Sequence, residues 1–145
     1  MSPPNPAAQA PTAAELAADP VVQSALSQAW IDSDADDPAH RHEEGGWIYL
    51  DTRTGAIAIR RAQGGILDEL DVGNPPLIAD SVVVGVFHTH PNPTAEGWLP
   101  GPSLDDVEVH ARLGVPGLIR ADDGDYVTGP ERRRSGLTGE PGFPA

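Results

Sequence analysis

Val82-Val83-Val84-Gly85-Val86-Phe87-His88-Thr89-His90-Pro91 is the stretch that decides the fold. Its first six residues form a short, continuous apolar run of the kind that reads as a buried strand. Side chains two apart on a strand share a face, so the imidazoles of His88 and His90 point the same way. Pro91 then removes a backbone donor and ends any sheet pairing. Two histidines with one outlook at the mouth of a strand are candidate ligands for a single metal ion.

Working outward, Trp47 to Leu50 and Ala56 to Arg60 read as short strands joined by Asp51-Thr52-Arg53-Thr54-Gly55, a hairpin. Gly64-Gly65 and Asn74-Pro75-Pro76 punctuate a loop-rich middle. Beyond the histidines, Asn92 to Pro102 is a loop. Ser103 starts a helix that offers Leu104, Val107, Val109 and Ala111 as apolar positions, and Gly114 stops it. Gly117 to Arg120 and Tyr126 to Thr128 flank Asp122-Asp123-Gly124-Asp125 as a closing hairpin. Nearer the start, Thr12 caps a helix over Ala13 to Ala18, and Pro20 suits the first turn of a second helix reaching about Trp30. Val21, Val22, Ala25, Leu26, Ala29 and Trp30 give that helix its apolar face. The acidic run from Asp32 to Pro38 lacks the glycine and distal glutamate of a calcium loop and predicts a solvated turn. The expected organisation is a disordered Pro/Ala arm over 1–11 and a helical segment with an acidic linker over 12–42. A core follows over 43–130, with a flexible tail over 131–145. The fold class is α/β.

Composition narrows the function classes. The 145 residues suit one modest domain, with sixteen glycines and sixteen prolines limiting the packed core. A formal net charge of −13 argues against a nucleic-acid partner, which demands clustered cations. No apolar run approaches the length of a bilayer span, so a membrane partner is not expected. The N-terminus has neither a basic start nor an apolar h-region, and the expected location is the cytoplasm. The absence of cysteine removes disulfides, thiol catalysis and every thiolate zinc site, leaving nitrogen and oxygen to hold any transition metal.

A catalytic zinc site usually has three protein ligands and one position open to water. His88, His90 and Asp106 supply such a set. Zinc lowers the pKa of its water from about 15.7 toward about 7, and a nearby carboxylate must then take the proton and pass it to the leaving nitrogen. Glu43, in Glu43-Glu44-Gly45-Gly46, is the candidate base, and Ser103 the candidate donor to the oxyanion. Each piece has a plainer explanation. Ser103-x-x-Asp106 alone reads as a helix cap, His-x-His alone is weak evidence for a metal, and two glutamates often precede a strand. Their conjunction in this order, beside an apolar strand, disfavours the plain explanation for all of them together. His40 and His42 read as linker residues, and His110 as an ordinary surface or packing histidine.

Glu43-x-Gly45-Gly46, His88-Thr89-His90-Pro91 and Ser103-x-x-Asp106 together resemble the signature of the JAMM (MPN-plus, or JAB-domain) zinc metallopeptidases, of bacterial type, over roughly residues 43–128. The resemblance implies a cytidine-deaminase-like JAMM fold, with a curved, mainly antiparallel sheet flanked by helices. It also implies one Zn2+ per chain and hydrolysis of a peptide or isopeptide bond. The substrate would be a protein or peptide, with ubiquitin-like proteins or their conjugates among the candidates. By the same likeness His88, His90 and Asp106 are the zinc ligands, Glu43 the general acid/base and Ser103 the oxyanion donor. Glu43 is preferred to Glu44 because the family places its glutamate two residues before a small residue and glycine, and strand alternation sends Glu44 to the opposite face. The stretch from His90 to Ser103 is longer than the compact form of the motif. Trp98 lies in that insertion as a candidate substrate contact.

Two other function classes compete. MPN-type domains without a working metal site act as binding modules, and small bacterial JAB-like domains with a Glu-x-Gly-Gly-Trp opening resemble modules attached to polymorphic toxins. An amidohydrolase barrel also uses His-x-His, but it needs about 250 residues. A zinc amidase acting on small molecules is a further alternative.

Overall fold

The computed structural model describes residues 10–66, 70–99 and 101–130. The expected arm, up to residue 9, and the expected tail lie outside the described residues. A five-stranded, mostly antiparallel sheet forms the centre, with strands β1 (Gly45–Asp51), β2 (Ile57–Arg61), β3 (Ser81–His90), β4 (Gly117–Ala121) and β5 (Gly124–Thr128) in the order β2-β1-β3-β4-β5. Both expected hairpins form, β1 with β2 and β4 with β5. The single parallel pair is β3 with β4, and helix α3 (Leu104–Leu113) provides the crossover between them.

Helices α1 (Ala13–Ala18) and α2 (Pro20–Asp32) cover one face of the sheet. Thr12 closes a capping box with Glu15, and Asp19 caps α2 ahead of Pro20, so both starts follow from local chemistry. Leu16, Val22, Leu26 and Ala29 are buried against Ile48, Leu50, Val84, Phe87 and Leu118. Residues 12–32 therefore share the core of the sheet. Val21, expected on the apolar face, is instead 46% exposed. The inward stripe of α2 runs at i, i+4 and i+7 from Val22, and Val21 falls outside it.

The second face carries Trp47, Tyr49, Val83 and Val86, covered by Val72, Val115 and the partly buried Val109 and Leu113 of α3. Trp47 Nε1 donates to the Val72 carbonyl at 2.9 Å and Tyr49 OH to the Pro76 carbonyl at 2.7 Å, which fastens the long β2–β3 connection to the sheet. Helix α3 does not present the expected face. Leu104 is 82% exposed, Val107 and Ala111 are also exposed, and the only fully buried residue of the helix is His110. Asp106, Val109, His110 and Leu113 form the inward stripe.

One irregularity aims the histidines. Ile48 pairs with Gly85 while Tyr49 pairs with Val83, so Val84 is an extra residue in β3, a bulge. Val84 lies in the cluster under α1 and α2, whereas Val83 and Val86 lie in the other. Alternation then continues from Val86, and His88 and His90 emerge on the α3 face.

Candidate metal centre

His88 and His90 end β3, the strand that runs parallel to β4, and α3 starts beside that same end. In sheets with parallel crossovers the carboxyl ends of strands are where side chains and helix N-termini converge on a ligand. The two imidazoles meet there with Nε2 atoms 3.1 Å apart. Asp106, in the first turn of α3, faces both: Oδ1 is 3.1 Å from His88 Nε2 and Oδ2 is 3.2 Å from His90 Nε2. Glu43 stands one step back, with Oε2 4.0 Å from His90 Nε2. Glu43, His88 and His90 also offer ligand atoms that all lie within 4.8 Å of one another, a group positioned to bind a metal ion.

Two carboxylates thus compete for third ligand. A tetrahedral zinc with bonds of about 2.0–2.1 Å spaces its ligand atoms roughly 3.3 Å apart. The Asp106 distances match that spacing and the Glu43 distance exceeds it. The donor set of two imidazoles and a carboxylate, at these separations, suits a metal ion held by nitrogen and oxygen.

Each side chain has a local reason for its position. Gly45 pairs with His88 across β1 and β3, and a Cβ there would stand 2.1 Å from the Phe87 carbonyl oxygen, so only glycine lets the strands close beside the site. On the reverse face, Thr89 N donates to the Glu44 carbonyl at 2.9 Å and Glu44 N to Thr89 Oγ1 at 3.1 Å. The buried Ser33 hydroxyl also hydrogen-bonds Thr89 Oγ1. These bonds lock Glu43 in register with the histidines. Glu44 itself turns away, to His42 Nε2 at 2.6 Å and Arg61 at 2.6 Å, as strand alternation requires. Ser103 is the N-cap of α3: its Oγ accepts from Asp106 N at 3.1 Å, and Asp106 Oδ2 accepts from Ser103 N at 2.8 Å. The capping box and the convergence on the histidines coexist, because Oγ accepts the cap bond and keeps its own proton to donate.

Electrostatics favour ligand-ready protonation states. Burial pushes the His88 pKa down, against the opposing pull of Asp106, so its ring is neutral near pH 7. Burial would raise the Asp106 carboxyl, but hydrogen bonds from His88 and His90 outweigh it and hold Asp106 far below the ordinary carboxylate range.

Two clefts meet at the site, sharing Glu43 and Ser103 in their walls. One, of about 390 Å³, runs past His90 and Asn92 to Gly97, Trp98, Leu99 and Pro102. The other, of about 270 Å³, is walled by Asp71, Asp105, Asp106, Glu108 and His110. Trp98, 37% exposed, therefore borders the space next to the histidines. The insertion that carries it is anchored at its base: Arg41, nearly buried, makes a forked pair with Glu96 at 3.1–3.3 Å, and Thr94 donates to Asp122. His40 and His42 pair with Asp37 and Glu44 and stay outside the metal-ligating group, as expected of linker residues.

His110, expected as a surface or packing histidine, takes the second of those places, next to the site. It is wholly buried, and its ring centroid lies 5.9 Å from that of His88. Burial lowers its pKa to about 4. The available signal was its i+4 spacing from Asp106, which sets both on one face of α3. No protein-family model matches the chain, and neither a curated protein nor a solved structure does. The chemistry of the side chains alone therefore carries the functional reading.

Proposed function

We propose that the chain is a zinc-dependent peptidase or isopeptidase of the JAMM type. The observation that carries this reading is the mutual 3.1–3.2 Å spacing of His88 Nε2, His90 Nε2 and the Asp106 carboxylate, with a second carboxylate, Glu43, just outside that triangle. His88, His90 and Asp106 would hold the ion, beside the clefts that Glu43 and Ser103 line. The mixed sheet flanked by helices agrees with the fold that the resemblance implies.

When bound, the ion supplies Lewis acidity and a water acidified to near pH 7. The chain supplies the rest. Glu43, buried and 4.0 Å from His90 Nε2, accepts the water proton and returns it to the departing nitrogen. Ser103 Oγ donates its free proton to the oxygen on which charge develops. Trp98 and Leu99 line the approach and hold the substrate beside the scissile bond. Asp106 has no proton-transfer role, since both of its oxygens face imidazole nitrogens.

The test is hydrolysis of a quenched-fluorescence peptide library and of isopeptide-linked dipeptides by zinc-loaded protein, with Glu43→Gln as control. Cleavage by wild type and a loss of about 10²–10⁴-fold in kcat in the variant, with zinc retained, is the expected result. Zinc-loaded wild type that cuts neither class, while holding a partner protein at stoichiometry, would replace the enzyme by a binding module.

A further inference from the structure

His110 is a fully buried residue with two polar atoms that packing does not explain. Neither of its ring nitrogens has a hydrogen-bond partner among the described residues, and the same is true of Nδ1 of His88, across from it. The two rings lie 5.9 Å apart between centroids, tilted by 56°. Leaving a buried polar group unsatisfied costs about 1–3 kcal/mol, and a phenylalanine or leucine would fill this space without that penalty. The space is nevertheless reserved for this ring. A Cβ on Gly117 would stand 2.0 Å from His110 Cε1 and 2.1 Å from Nδ1, and one on Gly129 would stand 2.9 Å from His110 Cβ.

The orphaned nitrogens have one shared solution. His88 turns Nε2 toward Asp106 and His90, so a metal held there would take Nε2 and leave the remaining proton of the ring on Nδ1. A ligating histidine almost always donates that second N–H to an acceptor, which fixes the tautomer and the ring plane. Among the described residues no acceptor receives it. We propose that His110 is the positioning residue for His88, accepting the His88 Nδ1 proton through one bridging water. A single water there satisfies two of the three orphaned nitrogens at once, and such waters normally have at least two polar partners. His110 also lines the cleft of about 270 Å³ whose walls include Glu43, Ser103 and Asp106. The inference rests on the metal-site reading above and extends it to a residue outside the resembling motif.

Zinc affinity by competition with a chromophoric chelator, together with the long-range ¹H–¹⁵N spectrum of His88, tests the role without an activity assay. In zinc-loaded wild type, His88 is expected as the Nδ1–H tautomer, with that proton showing a cross-peak to a bound water. His110→Phe should weaken zinc binding about 10–100-fold and make the His88 proton exchange quickly, while the metal-free melting temperature holds or rises. His110→Gln, which keeps an acceptor, should recover most of the affinity. A merely structural histidine would, when replaced, lower the melting temperature and leave zinc affinity and tautomer alone. Wild-type affinity with a protected Nδ1 proton in His110→Phe would overturn the proposal and leave the metal site standing. Wild type that takes up no zinc would overturn both. Should His110→Phe fail to fold, the wild-type spectrum decides: a His88 Nδ1 proton without a water cross-peak contradicts the bridge.

Discussion

Glu43 and Glu44 are adjacent carboxylates with opposite surroundings. Glu43 faces the histidines, and Glu44 is held by His42 and Arg61 on the other side. Their glutamine variants should therefore separate cleanly. Glu43→Gln abolishes turnover and keeps the fold, whereas Glu44→Gln keeps turnover and loses stability through its broken ion pairs. The parallel measurement is kcat against melting temperature for both. A second consequence concerns pH. The unfolded chain binds a proton on His110 below about pH 6.5, but the folded chain does not until about 4, so folding loses free energy across that window. Stability of metal-free protein is full above that window and falls by about 3 kcal/mol toward its lower end. Asp106, whose folded pKa is depressed, adds a loss only below its ordinary value of 3.8. Denaturant titrations at pH 7, 5.5 and 4 should give a shallower decline for His110→Phe than for wild type. At this scale the ligand-type residues were legible in sequence because their types and spacing are rare in combination. His110 was not, since a lone histidine carries no such pattern.

At the scale of elements, the expected strands and helices form, with ends that differ by one or two residues. Local chemistry explains the agreement: Thr12, Asp19 and Ser103 cap helices through their own side chains, and Gly114 in the left-handed region stops α3. The faces were harder. Apolar residues of α3 point to solvent while Asp106 and His110 point inward, so hydrophobic periodicity misleads wherever a helix serves a polar site. The bulge at Val84 was equally hidden, because a run of valines looks the same in either register. Two predictions belong here. Leu26→Ala should cost about 2–4 kcal/mol in chemical denaturation, and Val21→Ala, five residues earlier in the same helix, less than about 0.5. Trp98→Ala should raise KM several-fold with kcat nearly unchanged, because the residue borders the cleft and is not one of the metal-ligating group. A variant with unaltered KM would make Trp98 a packing residue.

For the molecule as a whole, the N-terminal helices prove inseparable from the sheet, since Leu16, Val22 and Leu26 supply part of its core. Sequence patterns gave no order for the five strands, because pairing between distant segments leaves no local trace. The order matters for function: β3 at the centre and the β3–α3–β4 crossover bring residues 43, 88, 90, 103 and 106 to one end of the sheet. Everything functional proposed for the chain depends on that junction holding a metal. Zinc content by mass spectrometry, on wild type, Asp106→Ala and Glu43→Ala purified side by side without chelator, is the decisive measurement. Near one zinc per chain in wild type and Glu43→Ala, with none in Asp106→Ala, is the predicted result. No zinc in wild type even after it is supplied, or zinc lost in Glu43→Ala and kept in Asp106→Ala, would contradict the account.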